Sequence, residues 1–347
     1  MPCAIGNLLA RSVRLMILTL VLFFASAAII YLSCEFFVNG IEWCGRHMKL
    51  GATAVGTVLA AFGTALPESA VTFTAVAFGT TPEQKDIGVG SAMGGPLVLA
   101  TIAYAVVGFA LWLNRRKLAR GDTLVRVDRK ALANDQLAFL VIFVFKVGLG
   151  LVAFAIKPWL GILFLAAYGV YVWREITSAD TAPEEEELEP LKIRPGNASM
   201  GWAALQSIIA LCVIGAASHI FVSQLEHIGV LFGISPHIVA LLLSPVATEL
   251  PEIMNALIWI KQGKERLALA NISGAMMIQA TIPSALGLFY TPWLFDTPLF
   301  ASGVVTAFSV AITWFMFRKG EVDSRNLMAI ALLYVAFAAY VGWYFFH

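Results

Sequence analysis

Long apolar runs separated by short polar segments make up almost the whole chain. About ten of these runs are long enough to cross a bilayer, at roughly 20 residues per helical crossing. We therefore predict an all-α polytopic membrane protein with about ten transmembrane helices. The predicted spans cover 15–41, 50–78, 87–113, 136–156, 158–173, 202–226, 235–260, 267–290, 298–317 and 326–346.

Composition supports a membrane protein. Of the 347 residues, 59% are hydrophobic and 13% are charged, and the mean hydropathy is +0.82. A soluble domain could not bury this much apolar surface. The net charge of +1 gives no reason to expect a nucleic-acid partner, so the lipid bilayer is the expected surrounding. The four cysteines show no metal-binding spacing and are interpreted as apolar packing residues.

The basic residues predict an orientation. If the N-terminus lies outside, 18 of the 23 Lys and Arg residues fall in the five inside loops. Because inside loops are enriched in Lys and Arg, both termini are predicted to lie outside. The expected location is the plasma (inner) membrane of a prokaryote. Residues 1–27 also resemble a signal peptide, but their apolar run continues to Cys34, so we expect no cleavage there.

A strongly acidic segment at 174–200 divides the chain into two halves of five predicted spans each, 1–173 and 201–347. Acidic, proline-containing segments of this kind bury too little surface to fold by themselves. The sequence therefore predicts a solvated cytoplasmic linker between two membrane units.

The two halves carry the same pattern. Residues 35–68 match 219–252 at a constant offset of 184, and Leu-Pro-Glu ends both segments. Further on, "DIGVGSAMGG" at 86–95 matches "RLALANISGA" at 266–275. Five spans per half is an odd number, so the halves would cross the membrane in opposite directions. The pattern predicts an inverted repeat, which is typical of secondary transporters.

Both Leu-Pro-Glu motifs fall inside predicted spans. A proline removes one backbone donor and clashes with the preceding turn, so we predict that both helices break at the membrane midplane. Free carbonyls near Thr64 and Thr248 are tolerated there only if they line a cavity or bind something. Glu68 and Glu252 would repel each other in low dielectric, and they need protons or a cation. Carbonyl and carboxylate oxygens together suit a hard cation such as Ca²⁺; the alternative is two independent kinked helices with protonated glutamates.

"GTALPES" and "ATELPEI", each followed by a glycine-rich segment, resemble the two α-repeats of the cation/Ca²⁺ antiporter superfamily, which includes the sodium/calcium exchangers. The motif segments cover 61–99 and 244–282. The resemblance implies a secondary transporter that is not an enzyme and needs no cofactor. It also implies that Ca²⁺ is held by oxygens at both motifs, from the residues Glu68, Glu252, Thr64, Thr248, Asn271 and its first-copy counterpart Ser91.

The chain departs from the family pattern at several sodium ligands. The serine after the motif threonine is Ala65 in the first copy and Glu249 in the second, and a later serine is Gly95 or Ala275. The extra carboxylate Glu249 favours H⁺ as the competing ion, because a buried carboxylate beside another binds protons more readily. A snorkelling or helix-terminal role is the alternative for Glu249.

Several other polar residues are weaker candidates. Lys146 lies in the middle of a span, where it could pair with an acid or stand in for a coupling cation; snorkelling and structural pairing are the alternatives. Gln279, where exchangers have Asn or Asp, can still offer an oxygen. Roles as helix-end residues or gates, and as solvated loop histidines or a weak metal or pH-sensing site, are considered for Glu42, Glu226, His219, His227 and His237.

Taken together, the sequence predicts a secondary active antiporter that exchanges Ca²⁺ or a similar divalent cation for Na⁺ or H⁺. The alternatives are a passive cation channel, a degenerate family member that no longer transports, and an intramembrane enzyme with Glu68 and Glu252 as an acid/base pair. No hydrolase, zinc-protease or P-loop motif supports an enzyme or an ATP-driven pump.

Overall fold

The structure is a computed structural model, and it describes residues 2–51, 54–80, 82–116, 122–125, 129–177, 188–196, 198–231, 242, 244–319 and 322–346. Helices make up nearly all of this part of the chain, so the predicted all-α fold is confirmed.

The first half begins with a single long helix and continues with shorter ones. Two of its helices are preceded directly by a wider, π-helical stretch. In chain order the elements are α1 (Pro2–His47), a π-helix (Val55–Ala60), α2 (Ala61–Phe78), α3 (Pro82–Val98), a second π-helix (Leu99–Ala103), α4 (Tyr104–Asn114), β1 (Leu124–Val125), α5 (Arg129–Gly150), a 3₁₀-helix (Lys157–Leu160) and α6 (Gly161–Thr177).

The second half also begins with a long helix. Its elements are α7 (Met200–Leu231), α8 (Ser244–Thr248), α9 (Leu250–Lys261), α10 (Glu265–Tyr290), α11 (Thr297–Lys319), β2 (Val322–Asp323), α12 (Ser324–Ala329) and α13 (Ala331–Phe346). The two short strands pair antiparallel, with Leu124 opposite Asp323, and join the loop after α4 to the segment after α11. Sequence reasoning missed this pairing, because strands of two residues carry no periodicity.

Among the described residues, eight helices are long and apolar enough to cross a membrane. Each overlaps one of the ten predicted spans. The remaining two predicted spans, 50–78 and 235–260, contain the Leu-Pro-Glu motifs. The first is helical from Val55 to Phe78, and the second lies partly outside the described residues. The total of about ten crossings and the inverted repeat stay predictions.

Helix α10 forms the centre of the molecule and is buried along almost its whole length. It packs against α2, α3, α5, α6 and α9. Small residues permit this close approach: a Cβ atom added at Gly274 would lie 2.3 Å from the carbonyl oxygen of Thr57. By contrast, α1, α6 and α13 expose large apolar side chains such as Phe24, Trp173 and Leu332, as expected for helices that face lipid.

The acidic linker differs in part from its prediction as a solvated segment. Residues 178–187 lie outside the described residues, but the segment 188–196 is docked on α1 and α7. Leu191 is fully buried. The amide of Lys192 donates to Asn39 Oδ1 at 3.0 Å, and the amide of Ile193 donates to Gln206 Oε1 at 2.7 Å. The segment docks because its apolar residues and its backbone donors both find partners on those helices.

Candidate ion-binding site

The second Leu-Pro-Glu motif interrupts its helix, as predicted. Helix α8 ends at Thr248, Glu249 has φ −84° and ψ 2°, and α9 begins at Leu250. Pro251 lies in the first turn of α9, where its missing N–H needs no intrahelical acceptor. Single hydrogen bonds still span the junction, from the Glu249 amide to Pro245 O and from the Ile253 amide to Glu249 O, both at 3.1 Å. The interruption is therefore a local change of backbone direction at Glu249.

The first motif behaves differently, and the predicted break at Pro67 is wrong. Helix α2 runs without interruption from Ala61 to Phe78, and the irregular backbone lies about two turns or more before Pro67, in the π-helix Val55–Ala60. Proline deletes only one donor, so a helix held by neighbours on several sides can continue past it. The side chain of Glu68 lies outside the described residues, so its role stays a prediction.

Both carboxylates of the second motif are buried. Glu249 is 0% exposed and Glu252 is 1% exposed. Glu249 Oε1 accepts a hydrogen bond of 2.5 Å from Nε2 of Gln279 on α10. Glu249 therefore does not snorkel, although it does lie at a helix terminus, directly before α9, where it is buried. Two ionisable groups separated by one turn and removed from water are typical of a functional site in a membrane protein.

On helix α3, Gly95 lies against the side chains of Glu249 and Gln279. A Cβ atom added at Gly95 would lie 2.5 Å from Gln279 Oε1 and 2.8 Å from Glu249 Oε1. Real Cβ atoms do not approach neighbours this closely, so a serine at this position would require the ends of the Glu249 and Gln279 side chains to move. Gly95, where the family pattern has a serine, thus lies directly against Glu249, the additional carboxylate.

The hydroxyl groups of both motif threonines are already engaged. Thr64 Oγ1 donates to Ala60 O at 3.1 Å, and Thr248 Oγ1 donates to Pro245 O at 3.2 Å. Thr64 is buried and Thr248 is half-buried. If these residues hold a cation, their main-chain carbonyls rather than their hydroxyls would do so. Ser91 is half-buried on α3.

Buried amide groups surround the second motif. Asn271 Nδ2 donates to the carbonyl of Glu252 at 3.3 Å. In the part of the chain that the structure describes, Asn271 Oδ1, Gln279 Oε1 and both amide atoms of Asn255 have no hydrogen-bond partner. Leaving such groups unsatisfied is costly, so they indicate a place where water or an ion binds. Sequence reasoning missed Asn255, although its position three residues after Glu252 puts both on one helix face.

The available ligands are mixed in kind. Across the described residues, no group of three or more His, Cys, Asp and Glu side chains is arranged to hold a metal ion. A cation here would take amide and carbonyl oxygens in addition to carboxylates, which is the ligand set of a hard cation.

Lys146 on α5 lies beside this region and does not snorkel. It is 0% exposed. Its ammonium group donates to Ala92 O of α3 at 2.7 Å and to Gln279 O of α10 at 3.2 Å. Structural pairing with backbone carbonyls is therefore the alternative that the structure supports for this residue.

The remaining candidates lie away from the site. Glu42 at the end of α1 is bound by Lys264 Nζ at 2.7 Å and by Trp259 Nε1 at 2.8 Å, which ties α1 to the α9–α10 connection. His219 and His227 are exposed but lie on α7, so their prediction as loop residues is wrong; His227 interacts with Ser223 O at 2.7 Å. The side chain of Glu226 and the whole of His237 lie outside the described residues.

The comparisons with known proteins agree on one transporter family. The family model for the sodium/calcium exchanger protein matches residues 18–177 and 202–345. The chain is 24% identical over 312 residues to a putative antiporter, CaxA, of Alkalimonas amylolytica, covering 89% of this chain and 92% of the relative. It is 25% identical to the inner membrane protein YrbG of Escherichia coli strain K12, covering 90% of this chain and 93% of the relative.

The fold is also similar to a solved exchanger. A structure of the sodium-calcium exchanger NCX_Mj, soaked with 10 mM Na⁺ and zero Ca²⁺, superposes with a TM-score of 0.73 at 20% identity. The superposition covers 93% of this chain and 98% of the exchanger. At this identity the match supports the same polytopic helical fold.

Proposed function

The chain belongs to the sodium/calcium exchanger family of cation/Ca²⁺ antiporters, and from this premise we propose that it exchanges Ca²⁺, or a similar divalent cation, for Na⁺ or H⁺. It is an integral, multi-pass membrane protein and a transporter rather than an enzyme. Family members transport ions without a cofactor. Beyond the family, we propose the identity of the two exchanged ions and of the residues that bind them.

The observation that carries the proposal is the buried group around the second motif. Glu249 and Glu252 are removed from water, Gln279 and Asn271 form hydrogen bonds to them through their amide groups, and buried Asn255 follows Glu252 by one helical turn. We propose that the carboxylates of Glu252 and its repeat counterpart Glu68 balance the positive charge of the bound cation. Main-chain carbonyls of Thr64 and Thr248 would add neutral ligands, helped by the side chains of Asn271, Glu249 and Ser91.

Exchange rather than leak follows from the cost of the empty site. Several carboxylates without protons or cations would be expensive to carry through the low-dielectric centre of the protein. Only a loaded site would therefore change its exposure between the two sides of the membrane. Divalent and monovalent ions would compete for the same oxygens, and each would leave as the other enters.

Of the two coupling ions we favour H⁺. Ala65, Gly95 and Ala275 offer no side-chain oxygen, so Na⁺ would be incompletely coordinated, and an incompletely coordinated ion in low dielectric is penalised. Protons need only carboxylates, and Glu249 adds one that faces Gln279. A sodium-coupled exchanger would instead use backbone carbonyls and Gln279 in place of the missing hydroxyls.

The test is Ca²⁺ uptake into proteoliposomes at a clamped membrane potential, driven in turn by a pH gradient and by a Na⁺ gradient. We expect the pH gradient to drive uptake without Na⁺. Na⁺-driven uptake that is indifferent to pH would assign the sodium coupling instead. Uptake down the Ca²⁺ gradient alone, without any counter-ion, would indicate a channel and contradict the proposal.

We further propose that residues 1–173 and 201–347 form two inverted repeats in the prokaryotic plasma membrane, with both termini outside. The charge distribution supports this orientation. Single cysteines introduced between residues 227 and 237 should react with an impermeant maleimide from outside. An Ala182→Cys variant should react only after the membrane is opened, and outside labelling at that position would reverse the orientation.

A further inference from the structure

Lys146 has surroundings that are unusual for a lysine. It is completely buried on α5, and its Nζ atom lies 5.3 Å from the ring centre of Phe143 and 5.8 Å from that of Trp293. Two carbonyl oxygens, from Ala92 and Gln279, accept its hydrogen bonds. Carbonyl oxygens and aromatic faces are both electron-rich, so each of these four contacts favours a positive charge on the side chain.

The two carbonyls come from the two helices that also form the candidate site. Ala92 lies on α3, three residues before Gly95, and Gln279 lies on α10. The side chain of Gln279 donates to Glu249 while its main-chain oxygen accepts from Lys146. One residue thus connects the buried ammonium group to the buried carboxylate.

Among the described residues, the hydrogen-bond acceptors of the Lys146 ammonium group are these two carbonyl oxygens and no carboxylate. The ammonium group is therefore connected to Glu249 through Gln279, without a direct ion pair. At an effective dielectric constant of about 20, two unit charges still interact beyond ion-pair distance.

We propose that Lys146 is a built-in counter-charge for Glu249, so that the transport site keeps a net charge of two negative units despite its third carboxylate. This inference rests on the proposed function, because it counts Glu68, Glu249 and Glu252 as site carboxylates. Three negative charges and one positive charge would match one divalent cation. Lys146 is then a specificity-determining residue, and its charge rather than its hydrogen bonds is the property that transport uses.

A second buried lysine provides a matched control. Lys157 also donates to main-chain carbonyls, those of Val152, Pro292 and Trp293, at 2.6–2.9 Å. It lies in the 3₁₀-helix before α6, and its hydrogen bonds reach neither Gln279 nor α3; it shares only Trp293 with the surroundings of Lys146. Removing Lys157 therefore tests the loss of a carbonyl-capping lysine without changing the charge beside the site.

The experiment compares the half-saturating Ca²⁺ concentration for exchange in proteoliposomes for wild type, Glu249→Gln, Lys146→Met and the double variant. Glu249→Gln leaves Lys146 uncompensated, and we expect the half-saturating concentration to rise about tenfold or more. Lys146→Met alone should lower it, because the site gains one net negative charge. The double variant should return to within about threefold of wild type, since its net charge is restored.

Lys157→Met supplies the comparison. Combined with Glu249→Gln, it should give no recovery. If Lys146→Met does not yield a monodisperse protein, Lys146→Gln replaces it in the same cycle, because an amide removes the charge and keeps two donors for the carbonyls.

A double variant that is no better than Glu249→Gln alone, while wild type exchanges Ca²⁺ normally, would overturn the role of Lys146 and leave the proposed function intact. A wild-type chain that moves no Ca²⁺ under any gradient would overturn the proposed function and, with it, this inference.

Discussion

The two Leu-Pro-Glu motifs have the same sequence pattern and different local structures. In the second copy the helix ends at Thr248 and a new helix begins at Leu250, with Glu249 buried at the junction. In the first copy one helix runs through Pro67, and the residue that corresponds to Glu249 is Ala65, which is also buried. A proline in the pattern is therefore insufficient to break the helix.

The difference indicates that the halves have specialised in complementary ways. The second half supplies an extra carboxylate and the amide that holds it, whereas the first half supplies Gly95, the space into which both fit. A repeat with hydroxyl ligands on both sides would need neither change. The comparison predicts that substitutions at corresponding positions of the two halves will have unequal effects, except at the motif glutamates and the motif threonines.

The largest effect is expected at those glutamates. Glu252→Gln and Glu68→Gln should each lower Ca²⁺ exchange by more than about a hundredfold, because each removes a charge that a buried cation needs. Radioactive Ca²⁺ uptake by the reconstituted variants measures this. Glu35→Gln is the control, since Glu35 is partly exposed and binds Lys192. If exchange survives in Glu68→Gln but not in Glu252→Gln, the cation site is formed by the second motif without the first.

A smaller loss is expected when the space at Gly95 is filled. Gly95→Ala places a Cβ atom against Gln279 and Glu249, and overpacking of this kind costs about 1–3 kcal/mol. We expect exchange to fall about tenfold. Gly90→Ala is the matched control, because a Cβ atom there meets nothing within 4 Å. Equal activity of the two alanine variants would show that Gly95 does not define the site.

The pH profile of exchange tests the extra carboxylate. Protons compete with Ca²⁺ for buried carboxylates, so activity should rise with pH as protons leave the site. Glu249→Gln removes one proton-binding group. The rise of activity with pH should therefore become shallower, and the pH at which exchange is fastest should shift. Initial rates measured from pH 5.5 to 9 in steps of about 0.5 resolve this change. An unchanged profile would mean that Glu249 does not exchange protons during transport.

The smallest effect is expected at the motif threonines. Because both hydroxyls bond to their own helix, Thr64→Val and Thr248→Val should change the half-saturating Ca²⁺ concentration by less than about threefold, within the ~1 kcal/mol of one hydrogen bond. A larger change in either variant, with normal folding, would identify that hydroxyl as a ligand in place of the carbonyl.

Much of the fold could be predicted from the sequence. The apolar runs predict eight helices that the structure contains, because a bilayer requires long, nearly uncharged segments. The sequence also identifies Glu249 and Gln279 as positions that differ from the family pattern. Their direct contact was not predictable, since it joins positions 30 residues apart on different helices.

Other features depended on tertiary packing that a single sequence does not show. The helix continues past Pro67, where α2 is packed against α3 and α10. The docking of residues 188–196 required knowing that Asn39 and Gln206 face the linker. Lys146 could be placed in mid-span from the sequence, but its two carbonyl partners on α3 and α10 could not.

Counterflow is the most direct test of the central claim that Ca²⁺ crosses by exchange at a carboxylate site. Proteoliposomes loaded with unlabelled Ca²⁺ are diluted into trace radioactive Ca²⁺, with no Na⁺ and no pH gradient. The account predicts transient accumulation of label above equilibrium for wild type and none for Glu252→Gln, because the loaded site alone can change its exposure. Label that enters equally well without Ca²⁺ inside, or accumulation that persists in the Glu252→Gln variant, would contradict it.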